Sequence, residues 1–230
     1  MGNYAFLIDT RFCTGCNTCF YKCVQENRYH FQAAKGLART TVFIQDNGLL
    51  HHRCMHCENP SCVASCPSGA FYKTPEGIVL HNPQHCIGCR TCVVACPFNV
   101  PQWDSDKKEF VKCTMCIHRV SKGLLPACVE ACPTEALTFG KRQEILDKSQ
   151  KLSQETRLFM YGREENGGTS VFILTKEKPT DIGYPSVANI SITGRGSKTL
   201  VGATAAAAIV YIGLKKYSER RKEIEEKKKQ

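Results

Sequence analysis

Sixteen cysteines in 230 residues, every one of them inside a cluster, constrain this chain more than any other feature. They form four groups. Cys13, Cys16, Cys19 and Cys23 come first, then Cys54, Cys57, Cys62 and Cys66, then Cys86, Cys89, Cys92 and Cys96. The last group is split, with eleven residues between Cys113–Cys116 and Cys128–Cys132. Gaps of two to four residues within groups are metal-ligand spacing, whereas a disulfide framework is the expectation for a cysteine-rich secreted chain without such grouping. Apolar residues at 42% and charged residues at 23% match ordinary globular usage, which excludes a disordered or collagen-like chain. The chain is read as folding around metal.

Thiolate sulfur suits both zinc and iron–sulfur clusters. Structural zinc favours two close cysteine pairs separated by a longer loop, and only the fourth group has a comparable split. The other runs present three sulfurs around one face of a cubane, and the fourth cysteine is expected to start a helix and point elsewhere. In two-cluster bacterial ferredoxins that outlying cysteine, followed by proline, binds the other cluster of the pair. Pro67, Pro97 and Pro133 occupy this place, while Val24 follows Cys23. The expectation is four [4Fe–4S] clusters; a [3Fe–4S] centre at one of them and zinc at the fourth group stay open. No cysteine is left over for catalysis.

Ligand exchange then pairs the groups. Groups two and three are neighbours and both end in Cys-Pro, so cluster C takes Cys54, Cys57, Cys62 and Cys96, and cluster D takes Cys86, Cys89, Cys92 and Cys66. Groups one and four are left to each other. Cluster A takes Cys13, Cys16, Cys19 and Cys132, and cluster B takes Cys113, Cys116, Cys128 and Cys23. The expected fold class is α+β, with two nested, duplicated ferredoxin-like units over residues 1–140, the inner one spanning 50–100.

Ala5–Ile8 ahead of Cys13 is strand-like, and the short β-type runs Thr41–Ile44, Ile78–Leu80 and Ala136–Phe139 between the groups are consistent with two-stranded units holding the ligand loops. Lys141–Gln154 reads as a polar helix, Ser170–Leu174 as a strand, and 176–198, with its prolines and glycines, as an extended connector. Thr199–Leu214 carries no charge and is about 24 Å long as a helix, short of a hydrocarbon core of about 30 Å. Extended to 217 with Lys215 and Lys216 snorkelling, it is expected to span a membrane once; a buried or interfacial helix is the alternative. The tail 218–230 completes the organisation. Eight basic residues over 215–230 place the tail in the cytoplasm and the cysteine domain outside. No apolar leader or twin-arginine run precedes Cys13, so no export signal of the chain's own is expected.

A formal net charge of +10 invites a polyanion partner, but it counts every thiol as neutral. Four oxidised clusters with their thiolates add about −2 each, roughly −8 together, which brings the loaded chain near neutrality. With no reading helix or basic stripe, nucleic-acid binding is not expected. Lys22, Arg53, Arg90, Lys112 and Arg119 flank ligands and would raise cluster potentials if buried, but do little as solvated charges. His51, His52, His56, His85 and His118 are read as supporting or surface groups rather than ligands, and Trp103 as packing near group three.

Arg53-Cys54-Met55-His56-Cys57, Cys86-Ile87-Gly88-Cys89-Arg90, Cys96-Pro97-Phe98-Asn99-Val100-Pro101 and Lys112-Cys113-Thr114-Met115-Cys116 resemble the four-cluster electron-transfer subunits of molybdopterin oxidoreductases. The likeness covers roughly residues 4–140. Tyr161–Thr169, the strand after it and the apolar C-terminal segment are similar to the beta subunit of respiratory formate dehydrogenase and to the iron–sulfur subunit of membrane-bound nickel–iron hydrogenase. The resemblance implies a non-catalytic relay from a molybdenum or tungsten catalytic subunit, foremost a formate dehydrogenase, to a membrane cytochrome b or quinone-reactive subunit. Alternatives are a hydrogenase, a sulfur-compound reductase or a hydrogen-dependent carbon dioxide reductase as partner. A module merely stapled by clusters is the rival of another class.

Overall fold

The computed structural model describes residues 3–187. Along the chain these form β1 (Tyr4–Asp9), α1 (Thr18–Asn27), α2 (His30–Ala34), β2 (Thr40–Gln45), β3 (Gly48–Arg53), α3 (Ser61–Ala64), β4 (Phe71–Lys73), β5 (Val79–His81) and α4 (Thr91–Ala95). There follow β6 (Gln102–Asp104), β7 (Glu109–Val111), α5 (Ile117–Val120), α6 (Ala127–Glu130), β8 (Leu137–Lys141), α7 (Arg142–Thr156), β9 (Phe159–Tyr161), β10 (Val171–Thr175) and α8 (Pro179–Ile182). The architecture is α+β and ferredoxin-like.

One four-stranded sheet runs β8-β1-β10-β9, and β2-β3, β4-β5 and β6-β7 are separate antiparallel ribbons. Phe6 of β1 faces Val171 of β10 in parallel register and Phe139 of β8 in antiparallel register. A parallel neighbour needs a long crossover, and here all four cysteine groups lie within it. Residues beyond 141 thus supply two strands of the sheet that β1 begins.

Because side chains alternate across a strand, that sheet has two apolar faces. Ala5, Leu7, Phe172 and Leu174 pack under α7 through Ile145, with Leu146 and Leu152 beside them. The α7 sequence puts Ile145, Ser149 and Leu152 on one stripe at helical spacing, and Ser149 is buried because its hydroxyl donates to Ile145 O at 2.6 Å. On the other face Phe6, Ile8, Val171 and Ile173 join the core that contains Cys19, Cys57 and Cys128. Full burial of a side chain such as Phe172 is worth about 1.5–3 kcal/mol.

Three expectations need correction. Leu137–Lys141 does not build a two-stranded unit; it pairs with β1 in the larger sheet. The start of the connector is not open chain: α8 forms, and buried Tyr184 accepts a hydrogen bond from His51 N (2.9 Å) and donates to Leu49 O (3.2 Å). Nor does the outlying cysteine start a helix. Helices α3 and α6 end one residue short of Cys66 and Cys132, and Cys96 itself ends α4. The residue before proline is pushed out of the helical region and proline has no N–H to continue the ladder. Val24 carries neither restriction, so α1 runs through Cys23 to Asn27.

No helix among the described residues is long and apolar enough to cross a membrane. The expected membrane helix 199–217 and tail 218–230 lie outside the described residues.

Candidate metal centres

Each ligand loop is a sequence of tight turns set by a few positions. In groups one and three the loops read Cys-x-Gly-Cys-x-Thr-Cys, with Gly15 at φ 72° and Gly88 at φ 71°. Gly15 is crowded as well, since a Cβ there would stand 3.3 Å from Ile44, whereas one on Gly88 would meet Trp103 at an ordinary contact distance of 3.5 Å. Asn17 and Arg90 next take the same left-handed conformation, φ 56° and 58°, and cap α1 and α4. Groups two and four use His56 and Met115 at φ 46° and 55° for the corresponding turn. After each Cys-Pro the chain closes identically, with Gly69, Asn99 and Glu135 at positive φ. Their N–H groups donate back to Cys66 O, Cys96 O and Cys132 O at 3.3, 3.2 and 3.3 Å.

These turns gather the thiols into four quartets, visible in which sulfurs push up one another's pKa. Cys13 and Cys19 feel Cys132. Cys23 feels Cys113, Cys116 and Cys128. Cys57 and Cys62 feel Cys54 and Cys96. Cys92 feels Cys66, Cys86 and Cys89. The structure thus brings together Cys13, Cys16, Cys19 with Cys132, then Cys23 with Cys113, Cys116, Cys128, then Cys54, Cys57, Cys62 with Cys96, and Cys66 with Cys86, Cys89, Cys92; these are called quartets A to D.

Four soft thiolate donors per quartet are the ligand set of an iron–sulfur cluster. Among the described residues no group of three or more His, Cys, Asp or Glu side chains is close enough to hold a single metal ion. The four thiols of quartet A line one small cavity together with Thr14 and Thr18, and those of quartet B line another together with Asn27 and Arg53. Group four is divided between quartets, Cys132 standing with Cys13, Cys16 and Cys19, and Cys113, Cys116 and Cys128 with Cys23.

Burial dominates the thiols' protonation. It pushes Cys19 up to about 11 and Cys57, Cys92 and Cys128 up to about 12. Two exposed thiols move the other way: Thr18 and Thr91 hydroxyls, 3.3 and 3.4 Å from Cys16 and Cys89 Sγ, hold these thiols below the ordinary value. Cys113 is the exception among buried ones. Burial opposes its ionisation, yet Arg53, the Met115 N–H at 3.3 Å and Lys112 outweigh it and lower the pKa.

The cations that flank cysteines in sequence separate in space. Arg53 and Lys112 are each 3% exposed. Arg119 is bound by Glu26 and Glu130, and Arg90 lies over the Trp103 ring at 5.6 Å. Lys22 remains half-buried. Trp103 packs edge-on to Phe110 in the apolar cluster that holds Cys92. Among the histidines, His85 and His118 are exposed and His52 is half-buried, while His51 and His56 are buried with Nε2 unpartnered by protein atoms. His56 Nδ1 accepts from Val79 N at 3.1 Å, which leaves the ring proton on Nε2. Sequence adjacency alone could not sort these groups, because burial depends on how β3 and β7 are packed.

Residues 46–142 match the family model of a 4Fe-4S dicluster domain. Over 162 residues the sequence is 38% identical to the B component of anaerobic dimethyl sulfoxide reductase of Escherichia coli, covering 63% of this protein and 77% of that one. This protein belongs to the iron–sulfur subunit family of the molybdopterin oxidoreductases. Other family members include the B component of tetrathionate reductase of Salmonella typhimurium, 42% identical over 147 residues, with 60% of this chain and 57% of that protein covered. The iron–sulfur subunit of nitrate-inducible formate dehydrogenase of Escherichia coli is 34% identical over 194 residues, covering 73% and 66%. As a member of this family the chain is an iron–sulfur electron-transfer subunit. Formate dehydrogenase thus stands beside two reductases among the relatives, and the likeness does not single out one partner chemistry.

Proposed function

We propose that the chain relays electrons through four [4Fe–4S] clusters between a molybdenum- or tungsten-containing catalytic subunit and a membrane cytochrome or quinone-reactive subunit. Quartets A to D would hold one cluster each, with Cys13, Cys16, Cys19 and Cys132 in A, Cys23, Cys113, Cys116 and Cys128 in B, Cys54, Cys57, Cys62 and Cys96 in C, and Cys66, Cys86, Cys89 and Cys92 in D. Each cluster, when bound, takes up and passes on one electron.

The observation that carries this reading is the adjacency of the quartets, sulfurs of A, B and C sharing one core and sulfurs of C and D another apolar cluster. Cys19 of A raises the pKa of Cys128 of B, Lys112 lowers those of Cys113 of B and of Cys62 and Cys96 of C, and Cys62 of C packs in one apolar cluster with Cys92 of D. Of the sixteen thiols only Cys16 in A and Cys89 in D are exposed. Adjacent sulfur sites, two of them with an exposed thiol, suit a conductor between two partners.

The family membership supports a catalytic partner bearing molybdopterin. The uncharged run Thr199–Leu214 and the basic residues behind it support a membrane partner, with the cysteine domain outside and the tail in the cytoplasm. Three measurements on the anaerobically purified native complex test the reading. Iron should approach about sixteen atoms per chain, four per cluster. Substrate of the copurifying catalytic subunit should reduce the clusters reversibly; clusters that stay oxidised would leave a structural staple. Protease applied to sealed cells should cut the cysteine domain and spare the tail.

A further inference from the structure

Arg53 ends β3 and Lys112 follows β7, each one residue before a cysteine, and both side chains turn inward. Arg53 donates from Nη2 to Cys113 Sγ at 3.2 Å, with Nη1 4.0 Å from Cys128 Sγ, and its guanidinium lies 3.9 Å from the centre of the Phe6 ring. Lys112 Nζ donates to Val79 O at 2.6 Å and Cys113 O at 2.7 Å. None of the ion pairs among the described residues includes either cation. Arg53 Nε, also buried, has no hydrogen-bond partner in the protein.

A buried cation without a carboxylate is costly unless other negative charge surrounds it. Here that charge is sulfur. The Cys113 and Cys128 sulfurs face its guanidinium at 3.2 and 4.0 Å, and as cluster thiolates they would carry that charge. Arg53 therefore sits between the Cys113 and Cys128 sulfurs of B and the core around Phe6 that holds Cys19 of A, and Lys112 between Cys113 of B and the apolar cluster of Val79 that holds Cys62 of C.

We propose that Arg53 and Lys112 are fixed counter-charges that raise the midpoint potentials of the clusters beside them, Arg53 acting on A and B and Lys112 on B and C. This rests on the four-cluster reading. Gaining one electron makes a cluster more negative, so a nearby cation stabilises the reduced form more than the oxidised one. In a buried site neither salt nor water screens that difference fully. B is flanked by both charges, A and C by one each, and D by neither. The middle of the relay is thereby biased to accept an electron, which the next site takes on in turn.

The test is an EPR-monitored redox titration of the anaerobically purified complex carrying Arg53→Met, Arg53→Lys, Lys112→Met or Lys112→Arg, with iron counted first. Each neutral variant should lower two midpoints, with one cluster responding to both variants and one to neither. The expected size is at least tenfold in the reduction equilibrium, about 59 mV for a one-electron couple. The charge-keeping variants should titrate like the native complex. A neutral variant with native iron and native midpoints overturns the proposal. If a neutral variant does not retain iron, its charge-keeping counterpart decides: native loading and midpoints support the role of charge, and failure there as well assigns the residue to shape and overturns the proposal. Native chain with far fewer than about sixteen irons would instead overturn the four-cluster reading.

Discussion

Asn17 pairs with Val42 as though it were a strand: its Oδ1 accepts from Val42 N at 2.8 Å and its Nδ2 donates to Val42 O at 2.9 Å. The amide thereby ties the left-handed turn between Cys16 and Cys19 to β2. Asn17→Ala leaves both buried backbone groups of Val42 unpaired, at about 1–3 kcal/mol each by ordinary desolvation costs. Chemical denaturation of the loaded chain should show this loss, with iron of quartet A released first. The same substitution at Arg90 removes a ring contact only and should cost under about 1 kcal/mol.

Cys66→Ser addresses the exchange of ligands. Cys66 lies with Cys86, Cys89 and Cys92 although its sequence neighbours are Cys57 and Cys62. The variant should perturb or lose one cluster, about four irons, and the cluster held by Cys54, Cys57, Cys62 and Cys96 should keep its spectrum. Selective loss of that other cluster would refute the assignment. Paired single substitutions at Cys66 and Cys96, compared by magnetic spectroscopy, provide the measurement.

Gly162 has no room for a side chain. At φ 99°, a Cβ there would fall 2.0 Å from Val171 O, the backbone of the strand beside β1. Gly162→Ala should destabilise the fold by about 3 kcal/mol or more, since strain and a backbone clash add. Gly36, at φ 80° with nothing within 4 Å, provides the control. Its alanine variant carries conformational strain alone, about 1–2 kcal/mol, and thermal denaturation separates the two.

Cluster loading should depend on pH. Cys19 is pushed from 9.0 up to about 11, and Cys128 to about 12, principally by burial. Their raised values mean that the folded metal-free protein keeps these sulfurs protonated well above neutrality, so iron must displace the protons. Thiolate increases about tenfold per pH unit below the pKa. Reconstitution followed by visible absorbance should therefore accelerate from pH 7 to pH 9 and release protons. The linkage has the matching sign: a raised thiol pKa stabilises the metal-free fold below about 9, and that contribution fades as pH climbs through 9 to 11. Bound sulfurs no longer titrate, so the loaded protein should lack this alkaline loss.

Much of the site was legible because cysteine spacing is a local property. Gly15, Gly88 and the prolines after Cys66, Cys96 and Cys132 mark turns that any reader of backbone preferences can find, and the proximity of Cys132 to Cys13 follows once groups one and four must meet. The sheet was less legible. Ala5–Ile8 and Ser170–Leu174 each look like strands, but nothing local says that they lie side by side, as the Thr10 hydroxyl bonded to Leu174 O, 164 positions further on, shows. The same limit hid the difference between Arg53 and Arg119. Both stand near cysteines in sequence; only tertiary packing leaves one beneath Phe6 and gives the other two carboxylates.

The nested arrangement of quartets also imposes a timetable on manufacture. Every sulfur of C and D has left the ribosome once Cys96 emerges, whereas Cys13, among the first to appear, waits for Cys132. The inner half can receive its inorganic cargo while the outer half is still being translated. At that point eight sulfurs would stand ready and four would wait, and β10, the last strand among the described residues, would close the sheet afterwards.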